Sequence, residues 1–158
     1  KIFIEAIRSG FRDNMKTIEG ASSLLKAFSD MNIFIGIVSN KRGQLLREEV
    51  TALSWNSYFN AVGGAGDAMA DKPDPATVHL ALKDSGIAPG PDVWFIGNNH
   101  MDMLCAHSAG CTPILLETKL PPEEFFRNCP PAMRFPHCAA LLDYIAPEKG
   151  YPHLRPVL

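Results

Sequence analysis

The stretch Val93 to Cys111, VWFIGNNHMDMLCAHSAGC, decides how the chain is read. A short apolar run (Val93, Trp94, Phe95, Ile96) stops at Gly97. Polar residues follow at Asn98, Asn99, His100 and Asp102, and then Met103, Leu104, Ala106 and Ala109 recur at helical spacing until Gly110. This pattern predicts strand, tight turn and helix, with polar side chains gathered where the strand ends. In open α/β sheets that is where ligands bind.

The flanking sequence repeats the unit. Ala21 to Met31 carries Leu24, Leu25, Ala27, Phe28 and Met31 on one helical face. Ile33 to Val38 is a continuous β-branched and aromatic run, which suits a strand buried on both faces. Ser39 and Asn40 end it and precede a helix over about Gly43 to Leu53. Tyr58 to Val62 reads as a strand, and Gly63 to Pro73 as a loop of small residues. Asp74 offers an N-cap and Pro75 a first helical position for a helix to about Ser85. Val93 to Ile96 and Thr112 to Leu116 complete the strands. Strands alternating with helices imply an α/β fold with a doubly wound parallel sheet.

Beyond Leu116 the pattern weakens, because five prolines fall between Leu120 and Pro136. A short strand near Met133 to Phe135 and a helix over Cys138 to Ile145 are expected to return the chain to the sheet. Lys1 to Lys16 reads as an amphipathic, helical lead-in, with Ile2, Phe3, Ala6 and Ile7 on one face. The expected division is therefore a lead-in over 1–16, an α/β core over 17–146 and an irregular tail over 147–158.

Bulk composition excludes several classes. The chain has 158 residues, 46% of them hydrophobic and 20% charged, with a formal net charge of -2. That suits one globular domain and implies no polyelectrolyte partner. Scattered lysines and arginines argue against a nucleic-acid surface. No apolar run reaches bilayer length and no signal peptide is visible, so the expected localisation is cytoplasmic. Cys105, Cys111, Cys129 and Cys138 form no CxxC pair and read as reduced, mostly buried thiols. The histidines show no ligand spacing. GGAGD (Gly63 to Asp67) lacks the dinucleotide pattern and reads as a flexible loop on the substrate side.

Three loops should reach one sheet edge. They carry Ser39 and Asn40, then Lys72 within DKPDP, then Asn98, Asn99 and Asp102. A hydroxyl, an amide, a lysine and a carboxylate near a helix N-terminus suit a phosphate with a divalent metal. Each residue also has an ordinary structural reading. Ser39-Asn40 could cap a helix, Lys72 could be a solvated loop lysine, Asp102 could favour a helix dipole, and Asn98 could be a turn residue.

Taken together the motifs resemble the haloacid dehalogenase superfamily, and within it the phosphoglycolate phosphatase-like branch. IFIGIVSNK (Ile33 to Lys41) resembles its second motif, DKPDP (Asp71 to Pro75) its third, and IGNNHMD followed by AHSAGC its fourth. The resemblance implies phosphate-ester hydrolysis of a small phosphorylated metabolite, phosphoglycolate-like, through an aspartyl-phosphate assisted by Mg2+. It assigns phosphate binding to Ser39, Asn40 and Lys72, with Lys72 catalytic. It places Asn98 and Asp102 at the metal, Asn98 standing where the family has an aspartate. No Asp-x-Asp occurs in the sequence. The resemblance therefore implies that a central strand and most of a helical cap belong to an N-terminal segment that is truncated, not seen or supplied separately by another chain, with Lys1 to Lys16 as the end of that cap. The alternative is an inactive domain of the same fold kept for binding or assembly. A phosphoacceptor receiver domain is disfavoured because no acidic cluster ends Ile33 to Val38.

Overall fold

The computed structural model describes residues 2–4, 7–8, 16–117 and 123–146. In order, these form β1 (Ile2–Ile4), β2 (Ile7–Arg8), β3 (Lys16–Thr17), α1 (Ala21–Asp30), β4 (Ile35–Arg42), α2 (Gly43–Ala52), β5 (Ala61–Ala65) and α3 (Ala76–Leu82). Then come β6 (Trp94–Gly97), α4 (His100–Ser108), β7 (Thr112–Leu116), a 3-10 turn (Glu123–Phe126), β8 (Met133–Phe135) and α5 (Cys138–Ile145). Six strands form one sheet in the order β5-β4-β1-β6-β7-β8. Every pairing in it is parallel.

The doubly wound architecture follows from the alternation of side chains along the strands. Trp94 and Ile96 of β6, with Ile114 and Leu116 of β7, pack on the face covered by α1 and α5. Val93 and Phe95 pack with Val78 and Leu82 of α3 and Cys105 and Ala106 of α4 on the other face. Both faces are apolar, which is why these strands read as continuous hydrophobic runs. All four cysteines are buried and unpaired. Trp55 is buried, and Tyr58 and Phe59 pack against the first face.

Several boundaries differ from the sequence reading. Ile2–Ile4 is not helical: it pairs with β4 on one side and β6 on the other, through Ile2↔Ile35 and Ile2↔Trp94. The central gap expected from the resemblance is therefore filled by this strand. Two neighbouring strands with buried, unpaired edges strongly favour any β-branched segment that can satisfy both ladders. Further along, β5 takes in Gly63–Ala65, which had read as loop. The close approach to α2 explains the glycine there. A Cβ on Gly64 would lie 2.4 Å from Gly43 Cα and 2.6 Å from the Lys41 carbonyl oxygen. The α3 helix ends at Leu82 rather than near Ser85. The strand at Met133–Phe135 and the helix at Cys138–Ile145 stand where they were expected. The irregular tail expected over 147–158 lies outside the described residues. Among the described residues no helix is long and apolar enough to cross a membrane.

Candidate functional site

The parallel sheet brings the C-terminal ends of β4, β5 and β6 to one edge, and the loops after them carry the polar residues singled out above. At the end of β4 the ladder with β5 is interrupted. Val38 pairs with Gly63 and Arg42 with Ala65, so Ser39, Asn40 and Lys41 together stand opposite the single residue Gly64. Such a bulge turns side chains out of the regular pleat, a device common beside active sites. Ser39 is buried, and its Oγ accepts a hydrogen bond from the Lys41 backbone N–H at 3.2 Å.

Asn40 joins this bulge to the β5–α3 loop. Its Nδ2 donates to the Lys72 carbonyl at 3.0 Å, and its Oδ1 accepts from the Lys72 backbone N–H at 2.9 Å. The amide thus reads the backbone of Lys72 as a neighbouring strand would. These two bonds hold the two loops in register.

Lys72 then reaches the third loop. Its Nζ donates to Asp102 Oδ1 at 2.6 Å, with the two side chains 2% and 0% exposed. Asp102 Oδ2 accepts the backbone N–H groups of Asn98 at 3.0 Å and Asn99 at 3.3 Å. Asn99 in turn accepts the Asp102 N–H, closing a capping box at the start of α4. The helix-dipole role that the sequence offers Asp102 coexists with this capping box and with a direct ion pair that spacing alone could not reveal. Behind the pair, Cys105 lies near Thr77 Oγ1 and the Asp74 carbonyl. Burial pushes its thiol up to about 11, against a smaller opposite pull from Thr77 and Lys72. It is an inert packing group.

Mg2+ takes oxygen ligands in octahedral geometry and is ordinarily held by one or two carboxylates. The described residues do not fit it. Asp102 is sealed from solvent, with one oxygen on an ammonium and the other on two amides. Asn98 brings no charge, and its Oδ1 accepts from Asn99 Nδ2 at 3.1 Å. The other carboxylates of these loops have local work: Asp67 holds Arg47 and the Gly64 N–H, Asp71 the Gly66 N–H, and Asp74 the Ala76 N–H. Among the described residues no group of three or more His, Cys, Asp or Glu is placed to hold a metal.

The Arg47–Asp67 pair ties α2 to the end of β5 at 2.6 Å. The Arg47 hydrogen bond, assisted by the Gly64 N–H, holds the Asp67 carboxyl below its ordinary 3.8 against the opposing effect of burial. Its contribution to stability is therefore present above pH 3.8 and lost as pH falls through the lower folded value. Asp67→Asn is expected to flatten the acid limb of a melting-temperature profile. Because the pair is partly exposed, the change should stay under about 1 kcal/mol.

Residues 1–116 match the family described as haloacid dehalogenase-like hydrolase. The phosphoglycolate phosphatase of Yersinia pestis is 29% identical over 147 residues, covering 89% of this chain and 61% of that protein. The phosphoglycolate phosphatase of Escherichia coli K12 is 31% identical over 90 residues, 57% of this chain and 35% of that protein. A crystal structure of a haloacid dehalogenase-superfamily hydrolase from Ehrlichia chaffeensis superposes with a TM-score of 0.75 at 32% identity, covering 88% of this chain and 62% of that one. A phosphatase structure from Thermococcus onnurineus shares the fold at 19% identity, with a TM-score of 0.71 over 84% of this chain and 59% of that one. The chain thus spans about 61% of the Yersinia relative's length. The family match covers most of the sequence and includes all three loops, and the chain belongs to the haloacid dehalogenase-like hydrolase family.

Proposed function

We propose that this chain forms the phosphate-binding face of a phosphoric monoester hydrolase acting on a small phosphorylated acid, phosphoglycolate being the first candidate. One observation carries the reading: Lys72, buried and paired with Asp102, is locked through Asn40 to the bulge that bears Ser39. A phosphoryl group at this edge accepts a hydrogen bond from the Ser39 hydroxyl and a charge-assisted one from the Lys72 ammonium. Ser39 stands on a strand and Lys72 is held in its loop by Asn40 and Asp102, so both groups are in place before the phosphoryl group arrives. The names of the curated relatives supply the candidate substrate.

In this reading the attacking carboxylate is an aspartate, which the 158 residues do not provide in an Asp-x-Asp motif. It comes from sequence beyond these residues or from a separate polypeptide. A segment delivering it to the middle of the sheet would compete with Ile2–Ile4 for the slot between β4 and β6. Mg2+ is the family's expected cofactor, but no step is assigned to it because Asn98 and Asp102 do not make its site.

Asn98 also supports a second reading, a binding or assembly domain without turnover. The test is phosphate release from a panel of small monoesters with and without Mg2+. It would be run on the 158-residue chain, on a longer form carrying an Asp-x-Asp segment, and on Asn98→Asp in each. The hydrolase reading expects no turnover by the chain alone and turnover by the longer form. Silence of every form, Asn98→Asp included, would leave the binding role standing.

A further inference from the structure

Helix α2 buries a carboxylate for which the fold alone gives no reason. Glu49 is 2% exposed, and its Oε2 accepts Lys41 Nζ at 2.5 Å while the lysine side chain is 15% exposed. Among the described residues its other oxygen, Oε1, is buried with no hydrogen-bond partner. Buried polar groups are nearly always satisfied, so an orphaned carboxylate oxygen requires an explanation. Stability does not supply one, since a buried ion pair is commonly replaced by apolar side chains at no loss.

The partner of Glu49 suggests the reason. Lys41 is the last of the three bulged residues that stand opposite Gly64. Inside that bulge the ladder between β4 and β5 is interrupted, so other contacts must hold its shape. Asn40 is held by the Lys72 backbone. Lys41 is held by Glu49 through its side chain and directs its own N–H onto Ser39 Oγ. The hydroxyl is thereby oriented by a residue that Glu49 pins from beneath.

We propose that Glu49 is a positioning residue: through Lys41 it fixes the bulge that aims Ser39 at the phosphate. The inference rests on the phosphate-binding reading for its function, but the clamp itself can be measured separately. The repacked variant Lys41→Met/Glu49→Leu removes both charges, so it is expected to keep the wild-type melting temperature. It should weaken binding of inorganic phosphate about tenfold, the scale of one hydrogen bond to a charged group. It should also speed hydrogen exchange at the residue-41 amide. In Glu49→Gln, amine labelling of Lys41 should rise about tenfold for the same reason.

A merely structural pair would show phosphate affinity returning with stability in the double variant, and that result overturns the proposal. So does unchanged exchange at residue 41. If the wild-type chain binds no phosphate, the phosphate-binding reading falls. The clamp is then decided by exchange and labelling: acceleration supports it and no change overturns it.

Discussion

Lys72→Met is expected to destabilise the chain by about 3–5 kcal/mol, the usual cost of removing one partner from a sealed ion pair. The Asp102 carboxylate is 0% exposed and would lose the ammonium paired with it. Against a typical domain stability of about 5–15 kcal/mol, that loss is visible directly as a shift in the urea midpoint. Neutralising the second partner should recover most of it. Asn at position 102 keeps an oxygen for the Asn98 and Asn99 amides while removing the charge. Lys72→Met/Asp102→Asn should therefore lie well above Lys72→Met in stability, and neither should bind phosphate as the wild type does. A Lys72→Met midpoint within experimental error of wild type would mean that water or another cation reaches Asp102, and the account of a sealed site would fail.

Gly97→Ala should produce a loss of comparable size by a different route. A Cβ on Gly97 would lie 2.2 Å from Asp102 Cβ, 2.5 Å from its Cγ and 2.6 Å from its Oδ2. These atoms cannot rotate away without surrendering the bonds to Lys72 and to the two backbone amides. Overpacking and lost charge-assisted hydrogen bonds together suggest about 3 kcal/mol. Gly63→Ala is the control. It lies on β5 at the edge of the sheet, where the nearest contacts of an added Cβ are 3.8 Å and 3.9 Å, so the change should cost under about 1 kcal/mol. Equal midpoints for the two variants would show that position 97 has more room than the geometry gives it. The glycine is thus part of the site, because it lets Asp102 fold back against the strand that precedes it.

Neither effect could be read from the sequence, although their locations could. The run Val93–Ile96, the turn at Asn98–Asn99 and the periodicity from Met103 to Ala109 predicted strand, turn and helix. The structure has β6 and α4 there, because each pattern is local and matches its own backbone period. The convergence of the three loops was also legible, since parallel strands place their C-terminal ends on one edge. Where the reading erred, non-local pairing won. Ile2–Ile4 carries apolar residues compatible with a helix face, yet it forms a strand because β4 and β6 each offer it an unpaired backbone edge. Gly63–Ala65 had the composition of a loop but pairs with β4 for the same reason.

The division at the site is similar. Ser39, Lys72 and Asp102 could be named as a group because strand ends and motif order are written along the chain. Their bonds could not, since the contacts between Asn40 and Lys72 and between Lys72 and Asp102 span 32 and 30 residues. Glu49 left no signal, because a glutamate on a helix is ordinarily solvated and only the packing of α2 on the sheet buries it. The sequence alone determined which residues meet at the sheet edge, because backbone periodicity and parallel topology follow from local pattern. Only the tertiary structure decided what each does there: whether Asp102 faces a metal or a lysine is a matter of distance and desolvation, and those arise when distant segments pack together.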